Sequence, residues 1–371
     1  DRASPSLCEI QCGNGRLDPG EACDPGEANT ACRADCTFTD AFVSVWQISA
    51  EDLSLTLPLR ESDADDEGNE EGPQPFAYDF TVDWGDGSAP GEVTAFDDPD
   101  RVHTYAEAGT YTVTITGLME TIHFAHDPAG ESAANGDAAK LLAVPNLGNV
   151  GWTSFYKAFQ GCNNLGAVAG GRTEAVTNLS KMFRDATQAT PITTTWQTAN
   201  VTDMRGLFTR APLANPDTST WSTAQVRDMR ELFWGATEAQ PDTGDWLTGQ
   251  VISMAGMFYQ ASNANPDTRN WDTGNVVSMA NMFAQASNAN PDTSGWNTAN
   301  VADMANMFRG ATMAEPDTGN WHTGNVTSME NMFWEASVAQ PNTSGWDTSL
   351  VTSMAGLFYE AGSANPETSG W

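Results

Sequence analysis

The residues of this chain that could do chemistry are a few histidines, a group of cysteines and columns of acidic residues. Only four histidines occur, and no Ser/His/Asp arrangement, phosphate-binding glycine loop or zinc-ligand spacing accompanies them. His123, His126 and Asp127 form an HxxH-type pair with a nearby acid, which by itself is a weak metal motif. The sequence therefore indicates a protein that is not an enzyme.

Five of the six cysteines lie within the first 36 residues. They are Cys8, Cys12, Cys23, Cys32 and Cys36. Such a cluster in a short, Gly/Pro-rich segment is typical of a disulfide-linked module made in an oxidising compartment, with one cysteine left over here. The same segment carries four oxygen-bearing side chains, Asn14, Asp18, Glu21 and Asp24. A calcium site and ordinary turn chemistry both account for them, so calcium is the one cofactor that the sequence leaves open.

From Val176 onward the same residues recur every 25 positions. The tryptophans stand at 196, 221, 246, 271, 296, 321, 346 and 371, and valine, phenylalanine, alanine and proline keep the same period. One structural unit is therefore repeated and stacked. The valine, methionine, phenylalanine and tryptophan columns are predicted to form its core, and the asparagine and glutamine columns before the valine and the proline are predicted to hydrogen-bond from unit to unit. The spacing of three between Val301, Met304 and Met307 predicts a short helical turn in each unit. Pro316 then predicts an extended strand that ends at Trp321, so that stacked units would form a parallel sheet.

Two further columns are candidate contact surfaces. An aspartate column consists of Asp217, Asp242, Asp267, Asp292 and Asp317. Carboxylates one unit apart repel each other, so either a cation bridges them or they form a solvated face. An outer aromatic column consists of Trp234, Tyr259, Trp334 and Tyr359. These rings either line a binding surface or extend the core.

The charge balance limits the possible partners. The chain of 371 residues holds 16 basic and 49 acidic residues, a net charge of −33. Nucleic acid is not an expected partner, because phosphate binding needs a basic face. No stretch approaches 18 apolar residues, so no membrane insertion is expected. The acidity suits an extracellular protein in a salty or calcium-containing medium, and it equally serves solubility.

Between residues 41 and 118 the chain alternates apolar and polar residues as β-strands do. The segments 42–48, 53–57, 78–84 and 110–116 are predicted strands. The motif from Asp83 to Gly87, together with His103-Thr104-Tyr105, resembles the signature of the PKD β-sandwich. We expect a tight turn at Asp86-Gly87, a core filled by Trp84 and Tyr111, and a hydrogen-bonded structural role for His103.

Two other resemblances cover the rest of the chain. The run from Cys12 to Asp24, closed by Cys32 and Cys36, resembles the myxobacterial cysteine-rich repeat. Residues 141–371, with their V-x-x-M-x-x-M-F and W-x-T motifs, resemble the BspA-like leucine-rich repeat of bacterial surface proteins. This resemblance implies an extracellular, surface-attached protein that functions in adhesion or protein–protein contact.

The expected fold class is mainly β with short helical turns. A disulfide-rich module (1–40) and a PKD-like β-sandwich (41–118) precede a junction with a capping repeat (119–175), in which Cys162 is a buried free thiol. A right-handed leucine-rich-repeat-like solenoid of 25-residue coils follows (176–371). Trp371 ends the sequence in phase, so we expect either that the chain continues beyond it or that another subunit covers this end in head-to-tail contacts. The expected function is a structural or adhesive surface protein, such as a filament subunit. The alternative is a monomeric module that binds a protein or glycan.

Overall fold

A computed structural model of the chain describes residues 41–63, 73–124 and 136–371. Its strands are β1 (Phe42–Ile48), β2 (Ser54–Thr56), β3 (Tyr78–Asp83), β4 (Gly91–Val93), β5 (Val102–Thr104), β6 (Gly109–Met119), β7 (Leu141–Asn146), β8 (Ala167–Val168) and β9 (Thr190–Pro191). Two 3₁₀ helices, Pro99–Arg101 and Gly136–Lys140, complete the regular elements of this part of the chain.

Seven strands form one mixed sheet in the order β4-β3-β6-β1-β7-β8-β9, while β2 and β5 pair separately. The first five pair antiparallel, and β7, β8 and β9 pair parallel. In β3, buried Tyr78, Phe80 and Val82 alternate with exposed or half-buried residues. This is the period-two pattern from which the strand was predicted, and the predicted positions of β1, β2, β3 and β6 are confirmed within a few residues.

The loop after β3 is held by side chains of the Asp83–Gly87 motif. Asp86 accepts a 2.8 Å hydrogen bond from the ring of His103, which stacks on Trp84 with ring centroids 4.9 Å apart. Hydrogen bonds from Ser88, together with His103, lower the pKa of Asp86 to about 2. The hydrogen-bonded structural role predicted for His103 is confirmed.

Each repeat unit is a chain of tight turns. In the unit that begins at Val201, the N–H groups of Leu207, Thr209 and Ala211 each donate to the carbonyl three residues earlier. The N–H groups of Met204, Gly206 and Phe208, which alternate with these, donate to carbonyls of the following unit. Alternate N–H groups therefore close turns within a unit and join neighbouring units.

This alternation requires left-handed backbone at two places in every unit. One place is occupied by Lys181, Gly206, Glu231, Gly256, Asn281, Asn306, Asn331 and Gly356, and the φ angles there lie between 52° and 65°. The other, four residues later, is occupied by Asp185, Arg210, Gly235, Gln260, Gln285, Gly310, Glu335 and Glu360. Glycine and asparagine recur because they adopt this conformation at the lowest cost.

Two columns of buried threonines tie the units together. In the first, the hydroxyl of Thr243 donates to the carbonyl of Asp267 over 2.8 Å, and the same bond recurs from Thr193 to Thr343. In the second, the hydroxyl of Thr248 donates to the carbonyl of Asp272 over 2.9 Å.

The predicted amide columns are also confirmed, since the amide of Asn300 donates to the carbonyl of Gly274 and the N–H of Gln240 donates to the amide oxygen of Asn215. These bonds satisfy polar groups that stacking would otherwise bury unpaired.

Apolar ladders fill the interior of the stack. Phe258 and Phe283 stack with ring centroids 5.5 Å apart, and Trp246 and Trp271 stack at 6.3 Å. The valine, methionine and alanine columns of the inner units are buried as well. The predicted core columns are therefore confirmed.

The predicted fold class is wrong in how the units are built. No α-helix occurs in the described residues. The spacing of three between Val301, Met304 and Met307, from which a helical turn was predicted, arises from consecutive tight turns. No continuous strand precedes each tryptophan either. Successive units are joined by single parallel bridges, such as Ser253↔Ser278 and Ser278↔Asp303. Without helix and strand layers, the right-handed leucine-rich-repeat-like solenoid that we predicted does not form.

The strand region and the first repeat unit share one sheet. The strands expected in a self-contained β-sandwich belong to the seven-stranded sheet, because β1 pairs with β7 and β7 continues through β8 to the first repeat unit. No disulfide is present in the described residues, and Cys162 is a buried free thiol, as predicted. The cysteines 8, 12, 23, 32 and 36 lie outside the described residues.

We predict that Gly256→Val destabilises the stack by roughly 1–2 kcal/mol, because a β-branched residue is disfavoured at a φ of +64°. A Cβ at this glycine would lie 3.6 Å from the nearest side-chain atom, so the effect is conformational and not a collision. Urea unfolding measures the change. Asn281→Gly, at the equivalent place with a φ of +58°, is the control and should change stability by less than about 0.5 kcal/mol.

A second prediction concerns the threonine columns. Thr293→Val removes a buried 2.7 Å bond to the carbonyl of Asp317 and should cost about 1–3 kcal/mol in the free energy of unfolding. Thr327→Val removes an exposed hydroxyl with a similar bond to Ala302 and should cost far less. Equal losses in the two variants would contradict a special role for the buried column.

Candidate functional site

The structure brings the outer aromatic column together in pairs. The rings of Trp334 and Tyr359 stack with centroids 4.1 Å apart and planes inclined by 28°. Trp234 and Tyr259 lie 5.2 Å apart and are tilted by 35°. Because the members of a pair come from successive units, the ring faces point along the stack. The outer surface therefore presents mainly ring edges.

The sequence reading missed one member of this column. Arg309 occupies the equivalent place one unit before Trp334, and its guanidinium carbon lies 5.5 Å from the centroid of the Trp334 ring. Arg309, Trp334 and Tyr359 thus form a continuous row across three units. The 25-residue spacing from 309 to 334 is the signal in the sequence that places Arg309 in this column.

The row is only partly buried. Tyr359 is 51% exposed, Arg309 is exposed, and Trp334 is half-buried. Carboxylates of Glu335 and Glu360 lie close enough to raise the pKa of the Tyr359 hydroxyl, with the hydrogen bond to Glu360 as the largest cause. The aromatic surface therefore has an acidic border.

The core does not extend through Trp234 and Tyr259. Both rings are half-buried, whereas the inner phenylalanine column is fully buried. Ala284, one unit after Tyr259, interrupts the column before it resumes at Arg309. The outer aromatic column consists of two separate patches.

The aspartate column caps turns. The Oδ1 atoms of Asp217 and Asp292 each accept bonds from the N–H and the hydroxyl of the serine two residues later, and Asp317 accepts one from the N–H of Gly319. Asp242 accepts a longer bond from Gly244. Asp267 differs, because Arg269 holds both of its oxygens at 2.9 and 2.5 Å. Each carboxylate is bonded within its own unit.

The aspartate column does not form a metal centre in the part of the chain that is described. No group of three or more His, Cys, Asp or Glu side chains there could hold a metal ion. Cation bridging stays a prediction without structural support. The calcium ligands predicted at 14, 18, 21 and 24 lie outside the described residues, as do His126 and Asp127. His123 packs beside Tyr156, with ring centroids 5.6 Å apart.

Stacked turns, threonine ladders and a partly exposed aromatic row define the described part of the chain as a repeat protein. Residues 153–270 and 253–371 match the family model described as "Mycoplasma protein of unknown function, DUF285". Together these matches span more than half of the chain, which belongs to this family. No curated protein and no solved structure matches the chain.

No helix of the described residues is long and apolar enough to cross a bilayer. This agrees with the expectation that no segment of these residues inserts as a transmembrane helix.

We predict that the carboxyl of Asp267 titrates with a pKa of about 2, because its hydrogen bonds with Arg269 favour the ionised form. Since the folded pKa lies below the ordinary 3.8, the pair stabilises the fold above that pH. The contribution is lost as pH falls through 3.8 towards about 2. The pair is largely exposed, so solvent screening keeps its contribution to stability small.

Carboxyl-carbon NMR measures this pKa directly. Arg269→Gln should raise it towards the ordinary value, whereas Arg309→Gln, which lies on another column, should leave it unchanged. An Asp267 pKa that does not respond to Arg269→Gln would contradict the assigned cause.

Proposed function

We propose that this protein is an extracellular adhesive surface protein that binds a partner through the outer aromatic column and carries out no catalysis. The observation that carries the proposal is the row Arg309–Trp334–Tyr359, which three successive units hold at the surface. Arginine, tryptophan and tyrosine are the residues that most often dominate binding energy in protein interfaces. The stack fixes their backbones, so little ordering is needed on binding.

The ring geometry favours a protein partner over a glycan. A sugar that stacks on an aromatic residue needs a free ring face, but Trp334 lies between Arg309 and Tyr359. Ring edges and half-buried apolar carbon suit side chains of a protein. The nearby carboxylates of Glu335 and Glu360 favour basic groups on that partner.

A stack of identical turns also serves as a rigid spacer, which supports a role at a surface. Filament assembly through head-to-tail contacts is expected from the sequence. It stays a prediction, because the structure contains one copy of the chain and therefore no contact between copies. Electron microscopy of the native material tests it, since periodic fibres would indicate assembly and dispersed particles would not.

We predict that Trp334→Ser with Tyr359→Ser abolishes adhesion and leaves the fold intact, because both side chains lie outside the buried columns. Beads coated with the full chain would be tested on cells of the source organism, with soluble protein as competitor. Near-UV circular dichroism would check the fold of each variant.

Leu350→Ser is the matched control, since Leu350 is 53% exposed but belongs to no aromatic row. Trp234→Ser with Tyr259→Ser examines the other patch. Adhesion that survives both double substitutions would overturn the proposal.

A further inference from the structure

A second exposed row of side chains runs along the stack, with one residue in each unit. Arg227, Ile252 and Val277 occupy equivalent places in three successive units. The N–H of Ile252 donates to the carbonyl of Arg227, and the N–H of Val277 donates to the carbonyl of Ile252, each over 2.8 Å. Arg227 is exposed, and Ile252 and Val277 are 53% and 45% exposed. We call these three residues the basic–aliphatic row.

Stacking does not account for the apolar side chains of this row. In other units the same place holds threonine, as at Thr202, Thr327 and Thr352. The threonine hydroxyls join the ladder, since that of Thr352 donates to the carbonyl of Thr327 over 2.9 Å. Isoleucine and valine keep the β-branched shape that suits such a ladder, but they lose this bond and expose apolar carbon to water. Two adjacent exposed apolar side chains therefore indicate a contact surface more strongly than a single one does.

The charge of Arg227 is an independent observation. Within residues 41–63, 73–124 and 136–371, every other arginine and lysine has an ion pair, a hydrogen bond, a ring contact or another electrostatic partner. The guanidinium of Arg227 has none in these ranges. The whole chain has a net charge of −33, so a cation that its own carboxylates leave unpaired is available to a carboxylate of a partner.

We propose that the outer aromatic column binds the basic–aliphatic row of a second copy of this chain. This inference rests on the proposed function, because it names the partner of the same surface. Trp334 and Tyr359 offer ring edges, and the carboxylates of Glu335 and Glu360 are exposed beside them. Aliphatic side chains pack on ring edges, and Arg227 supplies the cation that an acidic border favours.

The two surfaces match in length and in the order of their charges. Each presents one residue per unit over three units, and neighbouring units repeat at about 4.8 Å. The aromatic column has a cation at Arg309 and carboxylates around Tyr359, so its two ends differ in charge. Arg227 meets the carboxylates and avoids Arg309 only when the two stacks run in opposite directions. The proposed contact is therefore antiparallel, with Ile252 opposite Trp334.

Sedimentation velocity of the full chain over a range of concentrations, at constant ionic strength, measures the association. We expect the sedimentation coefficient to rise with concentration. Ile252→Thr with Val277→Thr should weaken the association roughly tenfold or more, because it removes apolar area from the contact. The fold should be retained, since threonine occupies this place in other units. A wild-type chain that stays monomeric at every concentration would overturn the proposal.

Charge reversal tests the pairing of the two surfaces. Arg227→Glu in one protein, and Glu335→Lys with Glu360→Lys in another, should each abolish self-association, because like charges then face each other. An equimolar mixture of the two proteins should associate again, since the reversed charges are complementary, whereas a folding defect would not be rescued by mixing. Glu315→Lys is the control, because Glu315 is exposed and lies on neither surface. A mixture that stays dissociated would contradict the contact.

Sedimentation and the bead assay together separate this inference from the proposed function. Adhesion that requires Trp334 and Tyr359, in a chain that does not self-associate, would overturn the second copy as the partner and leave the adhesive function standing. Self-association in a chain whose adhesion survives Trp334→Ser with Tyr359→Ser would overturn the proposed function instead.

Discussion

The structure depends on one division of the backbone N–H groups. In each unit, alternate N–H groups close turns within the unit, and those between them reach carbonyls of the next unit, as Phe258 does to Met282. Every unit therefore needs its neighbour to satisfy its own backbone, which is how a chain without long strands or α-helices in its described residues holds a regular stack. Left-handed residues at two places per unit are the conformational cost.

Side chains complete what the backbone begins. Threonine hydroxyls and asparagine amides bond from unit to unit, while valine, methionine, phenylalanine and tryptophan form the dry interior. Aspartates such as Asp292 bond to their own turns, so acidic side chains can recur every 25 residues without forming a metal centre. Most of the repeat is thus committed to stacking. The outer aromatic column lies outside these buried columns, and it is the surface through which we propose that a partner binds.

Individual residues show which features of the fold could be predicted from the sequence and which could not. Periodicity identified the repeating unit, its buried columns and the polar columns that bond between units. It failed for the helix at Val301, Met304 and Met307, because spacing of three fits both a helical turn and consecutive tight turns. The recurrence of asparagine and glycine two residues after the first methionine was the signal for left-handed backbone. The outer aromatic column was predicted from the sequence, but Arg309 was missed because its contact with Trp334 is a cation–π interaction between units.

The sequence by itself determined that one unit is repeated, which residues face inward and that the surface is acidic, because these follow from period and composition. Only the tertiary structure decided how β1 and β7 join the strand region to the repeats in one sheet. It also decided that Arg60, Lys157 and Lys181 meet at the ring of Tyr156. Period constrains residues related by 25 positions, whereas these contacts join segments that no period relates, so only the folded chain could specify them.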